Sequence, residues 1–148
     1  MLDDPIVVGS IIGVLANIPK VISNFIFYQL HFSRYHCWHM TVKTLISADW
    51  KFNFQTLVIG GLLDLILAAT FGVGLVYFYR FLGSKYLIFK GLAYTFGTWL
   101  FFCLMIGGKL LDTPRDVYHS FFDHLFWGVL AIGLVVKYGR KVIERKSW

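Results

Sequence analysis

The sequence predicts an all-α membrane protein. It should be an antiparallel bundle of four transmembrane helices, with an amphipathic helix lying in the interface between helices one and two. Three observations predict this. Apolar residues make up 57% of the 148 positions and charged residues 15%, where a soluble domain carries about a quarter charged. The charges gather between long apolar runs instead of marking one polar face of each helix. Four of those runs reach the roughly 20 residues needed to cross a bilayer core.

The first span is expected over 5–29, with Pro5 in a first turn that tolerates proline. The second is expected over 56–79. FLGSKY then makes a short turn, so the third, over 86–109, lies antiparallel beside it. An LDTPRD break at 111–116 precedes the fourth, over 117–138, which is the least hydrophobic because it carries His119, Asp123 and His124. Between spans one and two, Val42, Leu45, Ile46 and Trp50 recur near helical spacing. They predict an interfacial helix over 40–51, with Trp38 and Trp50 at headgroup level. Tyr28, Tyr77, Tyr79, Tyr86, Tyr118 and Tyr138 fall at expected span ends as aromatic belts, while Trp99 and Trp127 lie deeper. Residues 139–148 form a basic tail suited to anionic headgroups. The whole chain, 1–148, reads as one membrane domain.

A net charge of +6 would suit nucleic acid, but the basic residues sit at span ends, where they orient the chain and touch lipid. Arg80, Lys85, Lys90, Lys137, Arg140, Lys141, Arg145 and Lys146 flank one side; Arg34, Lys43, Lys51, Lys109 and Arg115 flank the other. The excess favours both termini in the cytoplasm, with Arg34 and Lys43 leaving the opposite topology open. MLDDPIVV lacks a basic leader region, so the first helix reads as retained. Two cysteines, Cys37 and Cys103, make no disulfide framework.

Helical rise converts sequence distance into depth. From the face holding the second loop and the C-terminus, Lys20 and Asp64 both lie roughly 22 Å in, His124 roughly 21 Å and Thr98 roughly 18 Å. Asp123 adjoins His124, and Asn17 and Asn24 flank Lys20. Small and polar residues also share faces: Gly9, Gly13, Ala16, Asn17, Lys20 and Asn24 on the first span; Gly61, Asp64, Ala68 and Gly72 on the second; Ser120, His124, Gly128 and Ala131 on the fourth. Such stripes let membrane helices approach closely. A lone charge at the bilayer centre costs about 3 kcal/mol on insertion scales, so Lys20 is expected to pair with Asp64. Pro19 leaves the Leu15 carbonyl without its helical donor, an acceptor open to Asn17, Lys20 or water. Two alternatives stay open. Lys20 could snorkel to the far interface, or the pair could serve architecture alone.

His36, Cys37 and His39 in the loop, with His119, form a candidate metal site, since imidazole and thiolate suit zinc or copper. Neither HExxH nor paired CxxC supports it. A haem held by two histidines would need them on two different spans, and only the fourth carries any. No cofactor is otherwise called for. Ser120 lies four residues from His124, but no nucleophile elbow surrounds it, and the sequence leans against an enzyme.

DDPIVVGSIIGVLANIPK, GGLLDLILAATFGVGLVYFYRFLG, KYLIFKGLAYTFGTWL and HLFWGVLAIG carry a resemblance, in hydropathy and overall pattern, over most of the chain. The chain resembles a group of small bacterial four-helix multi-pass membrane proteins with no established activity. The resemblance implies a bacterial inner-membrane protein and no particular chemistry; HFSRYHCWHM falls outside it.

The functional expectation is transport or permeation of a small ion or polar solute through the Lys20, Asp64 and His124 layer, supported by Asn17, Asn24, Thr98 and Asp123. Four short spans enclose little room, so a homo-oligomer is expected. The alternatives are an accessory or assembly subunit of a larger membrane complex and, more weakly, a membrane-embedded metal-dependent enzyme.

Overall fold

The computed structural model describes residues 4–46, 49–106 and 114–144. Helix α1 runs Pro5–Gln29, α2 Cys37–Leu45, α3 Phe54–Leu82, α4 Leu87–Ile106 and α5 Pro114–Leu134. The last passes through one π turn, Val135–Gly139, into α6, Arg140–Glu144. Pro5–Gln29, Phe54–Leu82, Leu87–Leu104 and Pro114–Glu144 are long and apolar enough to cross a membrane. The chain is therefore a multi-pass all-α membrane protein with the expected four-span bundle and a short helix between its first two spans.

Local chemistry sets the helix ends. Asp4 caps α1, its Oδ1 accepting the Ile6 N–H at 2.7 Å and the Val7 N–H at 3.2 Å. The same helix stops in a Schellman motif: Phe32 N–H reaches back to the Phe27 carbonyl at 2.8 Å and His31 N–H to that of Tyr28 at 3.1 Å. His31 takes the left-handed position (φ 59°) usually given to glycine, and the Phe27 and Phe32 rings pack edge to face across the turn. At the start of α3, Asn53 accepts the Thr56 N–H at 2.8 Å. Its far end closes at Gly83 (φ 79°), where the Lys90 ammonium donates to the Leu82 and Gly83 carbonyls at 2.6 and 2.9 Å.

In lipid, Leu against Leu gains little over Leu against an acyl chain, so close approach of small residues must hold the helices. That is the character of the α1–α3 contact, the most extensive in the fold. A methyl group on Gly13 would overlap the Ala68 carbonyl oxygen, and one on Gly72 would overlap that of Gly9. Ala16 continues the seam at 1% exposure. The expected stripes on the two spans thus face each other. Helix α5 locks onto the same seam through Trp127, whose Nε1 donates to the Gly13 carbonyl at 3.1 Å. Against α4, Gly128 of α5 receives the Thr95 side chain. Helix α4 rests on α5 more than on α3 and turns Ile88, Phe89, Phe101 and Leu104 outward.

Several boundaries differ from expectation. The helix expected over 40–51 is Cys37–Leu45. It starts early because His36 caps it, its ring accepting the Trp38 N–H at 3.2 Å. It buries Cys37, His39 and Val42, whereas Leu45 and Ile46, expected on the apolar face, are about half exposed. Trp38 lays its indole on Gly61 of α3, and its backbone sits where Gly60 leaves room. Tyr79 is no belt residue: it is fully buried and donates to the Leu87 carbonyl at 2.8 Å. The start of the basic tail is folded, with Val142 and Ile143 in the core. Residues 107–109 of the third span, 111–113 of the break, 145–148 of the tail and 47–48 of the interfacial helix lie outside the described residues.

Candidate functional site

The α1–α3 seam that brings glycine to glycine also brings Lys20 and Asn17 of α1 to Asp64 of α3. Lys20 Nζ lies 2.8 Å from Asp64 Oδ1, and Asn17 Nδ2 donates to Oδ2 at 2.7 Å. Both carboxylate oxygens are therefore served, one by a charge and one by an amide. The Lys20 side chain is 15% exposed and that of Asp64 8%. Snorkelling to the interface does not occur; the ammonium stays with the carboxylate. Nor do these side chains use the acceptor left by Pro19, which sits inside a continuous α1. Asp64 outcompetes a carbonyl because a charge-assisted bond is about twice as strong as a neutral one.

One turn further along α1, Asn24 makes a second junction. Its Nδ2 donates to Asp123 Oδ2 of α5 at 2.6 Å, and its Oδ1 accepts the Cys37 N–H at 2.8 Å. A single buried amide thus ties α1 to α5 and satisfies the first N–H of α2. His119, one turn before Asp123, holds its Nδ1 at 3.6 Å from Oδ2, longer than a hydrogen bond. Its Nε2 is buried without a hydrogen-bond partner among the described residues.

Lys20, Asp64, Asn17, Thr98, Asp123 and His124 line one cavity of about 100 Å³. These six side chains come from four spans, the four placed by depth (Lys20, Asp64, His124 and Thr98) among them; Asn24 stands behind Asp123. His124 Nδ1 lies 2.9 Å from the Ser120 carbonyl. A carbonyl only accepts, so this nitrogen carries a proton, and in the neutral form of the ring the lone pair is on Nε2.

What sequence reasoning missed is the part played by α2. Cys37, Met40, Thr41, Thr44 and Leu45 form a wall of the same cavity. Their spacing of three and four is a readable signal of one helical face; of the five, only Leu45 belongs to the apolar set Val42, Leu45, Ile46 and Trp50. A second ion pair also went unread, Arg34 with buried Asp116 at 3.9 Å. Arg115 donates to the His31 and Phe32 carbonyls, tying the start of α5 to the end of α1.

The candidate metal ligands go separate ways. The His36 ring caps α2, while His39 Nε2 lies 3.1 Å from the Trp50 carbonyl and His119 faces Asp123. Burial pushes the Cys37 thiol up to about 12, which keeps it protonated and weak as a ligand at neutral pH. Burial likewise lowers His36 from its ordinary value. Among the described residues, no group of three or more His, Cys, Asp or Glu side chains is placed to hold a metal ion.

Comparison with family models, with curated proteins and with solved structures finds no match to this chain.

Proposed function

We propose that this protein carries a small ion or polar solute across the membrane through the Lys20, Asp64 and His124 layer. One observation carries the reading: polar side chains from all four spans line a common cavity inside an otherwise apolar bundle. Ionisable groups at such depth are expensive and mark ion or proton pathways more often than plain packing does. The lysine–aspartate pair supplies fixed charge, Asn17 and Asn24 hold the carboxylates, and His124 offers a proton acceptor. On this reading the layer binds and passes its solute and makes no covalent bond. A homo-oligomer would complete the pathway, since a cavity of about 100 Å³ holds only a few waters. The excess of Lys and Arg favours cytoplasmic termini, and the resemblance in sequence pattern favours a bacterial inner membrane.

The test is flux in liposomes. Asp64→Asn keeps the shape of the side chain and its contact with Asn17 but removes the charge. It is expected to lower flux at least tenfold while the protein still purifies as a folded bundle; unchanged flux would sink the proposal.

A second reading is favoured by the closure of Asp64, both of whose oxygens are bonded within the bundle. Such a pair can set helix register and nothing else, as an accessory subunit of a larger membrane complex would need. Native purification separates the two. An accessory subunit brings down the same stoichiometric partner whether or not Lys20 and Asp64 are intact.

A further inference from the structure

Resting on the transport reading, we infer that the solute is a small monovalent cation, despite the lysine in the wall. The argument comes from where each hydrogen-bond donor is already spent. Thr41 donates its hydroxyl to the Cys37 carbonyl at 3.0 Å, Thr44 to that of Met40 at 2.8 Å and Thr98 to that of Thr95 at 2.8 Å. A hydroxyl has one proton, so each of these oxygens has only lone pairs left for the cavity. The indole N–H of Trp127, another wall residue, is committed to the Gly13 carbonyl. His124 commits its Nδ1 proton to Ser120 and keeps a lone pair on Nε2. Two carboxylates, Asp64 and Asp123, complete the acceptors.

The donors that remain are few. Lys20 has already given one ammonium proton to Asp64 and Asn17 one amide proton to the same carboxylate; their other protons, the Ser120 hydroxyl and the weakly donating Cys37 thiol remain. Two acids and one lysine share the wall. Lone pairs set into an otherwise apolar wall solvate a cation in place of water, and the acid side chains among them disfavour an anion. An anion site would show the reverse, with free N–H and O–H groups aimed inward. The volume suits an ammonium or alkali ion with little of its hydration shell. Lys20 then serves as a built-in competitor: its ammonium occupies Asp64 until the arriving cation displaces it.

The experiment places full-length protein in liposomes and records currents on a solid-supported membrane. Sodium, potassium, methylammonium and a proton gradient are offered singly, and chloride and formate likewise. A saturable current with any of the cations and none with the anions is the expected result; which cation gives it names the species. Thr98→Val and Thr44→Val keep side-chain shape but remove a lone-pair donor. Each is expected to weaken that cation's half-saturation at least threefold without changing the melting temperature. Lys20→Gln is expected to tighten it, and if that variant does not fold, the two valine variants decide alone. Currents with anions only would overturn the cation inference and leave transport standing. Absence of current with every ion would overturn the cation inference and leave the transport reading with an uncharged polar solute, and cation currents indifferent to both valine variants would overturn the assignment to this cavity.

Discussion

Asp64 and Asp123 are the same residue type, buried to similar degrees in the same bundle and lining the same cavity, yet they are held differently. Asp64 has a lysine at 2.8 Å and an amide at 2.7 Å, one on each oxygen. Asp123 has an amide at 2.6 Å and an imidazole only at 3.6 Å, both on Oδ2. The first is a closed charge pair; the second is an aspartate held by a neutral group, with a histidine nearby whose other nitrogen has no hydrogen-bond partner among the described residues. The difference shows which junction carries stability and which has slack. Breaking a buried pair strands a charge, whereas loosening a neutral contact forfeits one hydrogen bond.

Four experiments sharpen that contrast. The largest effect is expected from Lys20→Met, which leaves Asp64 buried without its cation and should cost on the order of 3–5 kcal/mol. Denaturation in mixed micelles measures it. Adding Asp64→Leu should recover most of the loss, because an apolar pair of similar volume avoids the stranded charge. Asn24→Leu comes next, at about 1–3 kcal/mol in the same assay, since it uncovers both Asp123 and the first N–H of α2.

Acid should act through His36, a smaller effect. Burial lowers its folded-state value below the ordinary 6.5, so the unfolded chain takes up the proton first as pH falls. The stability present above about pH 6.5 is then lost on going lower. Protonation also removes the lone pair that accepts the Trp38 N–H. Melting temperature is expected to fall between about pH 7.5 and about pH 5.5, and to fall less in His36→Asn, which retains an acceptor at the cap. The smallest change belongs to His119→Phe. It removes an unsatisfied nitrogen from a site already lined by Phe27 and Phe122, and stability should stay within about 0.5 kcal/mol of the parent or rise. A loss comparable to that of Lys20→Met would show the two aspartates to be equals after all.

How far the sequence could be read depended on whether a feature lay within one helix or between two. Lys20 and Asp64 met because the rise per residue is the same in every helix, so depth follows from counting. Their rotational setting followed from glycines every three or four residues, since only small side chains permit such an approach. The start of α2 obeyed no local rule. Its donors are met by His36, a residue with no strong reputation as a cap, and by Asn24 from a different span. Tyr79 was misplaced for a related reason. A tyrosine near a span end reads as a belt residue unless one knows that the Leu87 carbonyl waits across the turn. Val142 and Ile143 looked like part of a basic tail because four cations surround them, and only the continuation of α5 through its π turn carries them onto the bundle.

The amide of Asn24 has a consequence for how the chain is made. Its acceptor, Asp123, follows it by 99 residues, so at the ribosome the asparagine emerges long before the carboxylate that will orient it. The Cys37 N–H can take the amide oxygen early, but until the last span has entered the bilayer the amide nitrogen lacks its carboxylate. Helix α2 can already rest on α3 through Trp38 at that stage, so its seat is made before the junction that ties α1 to α5.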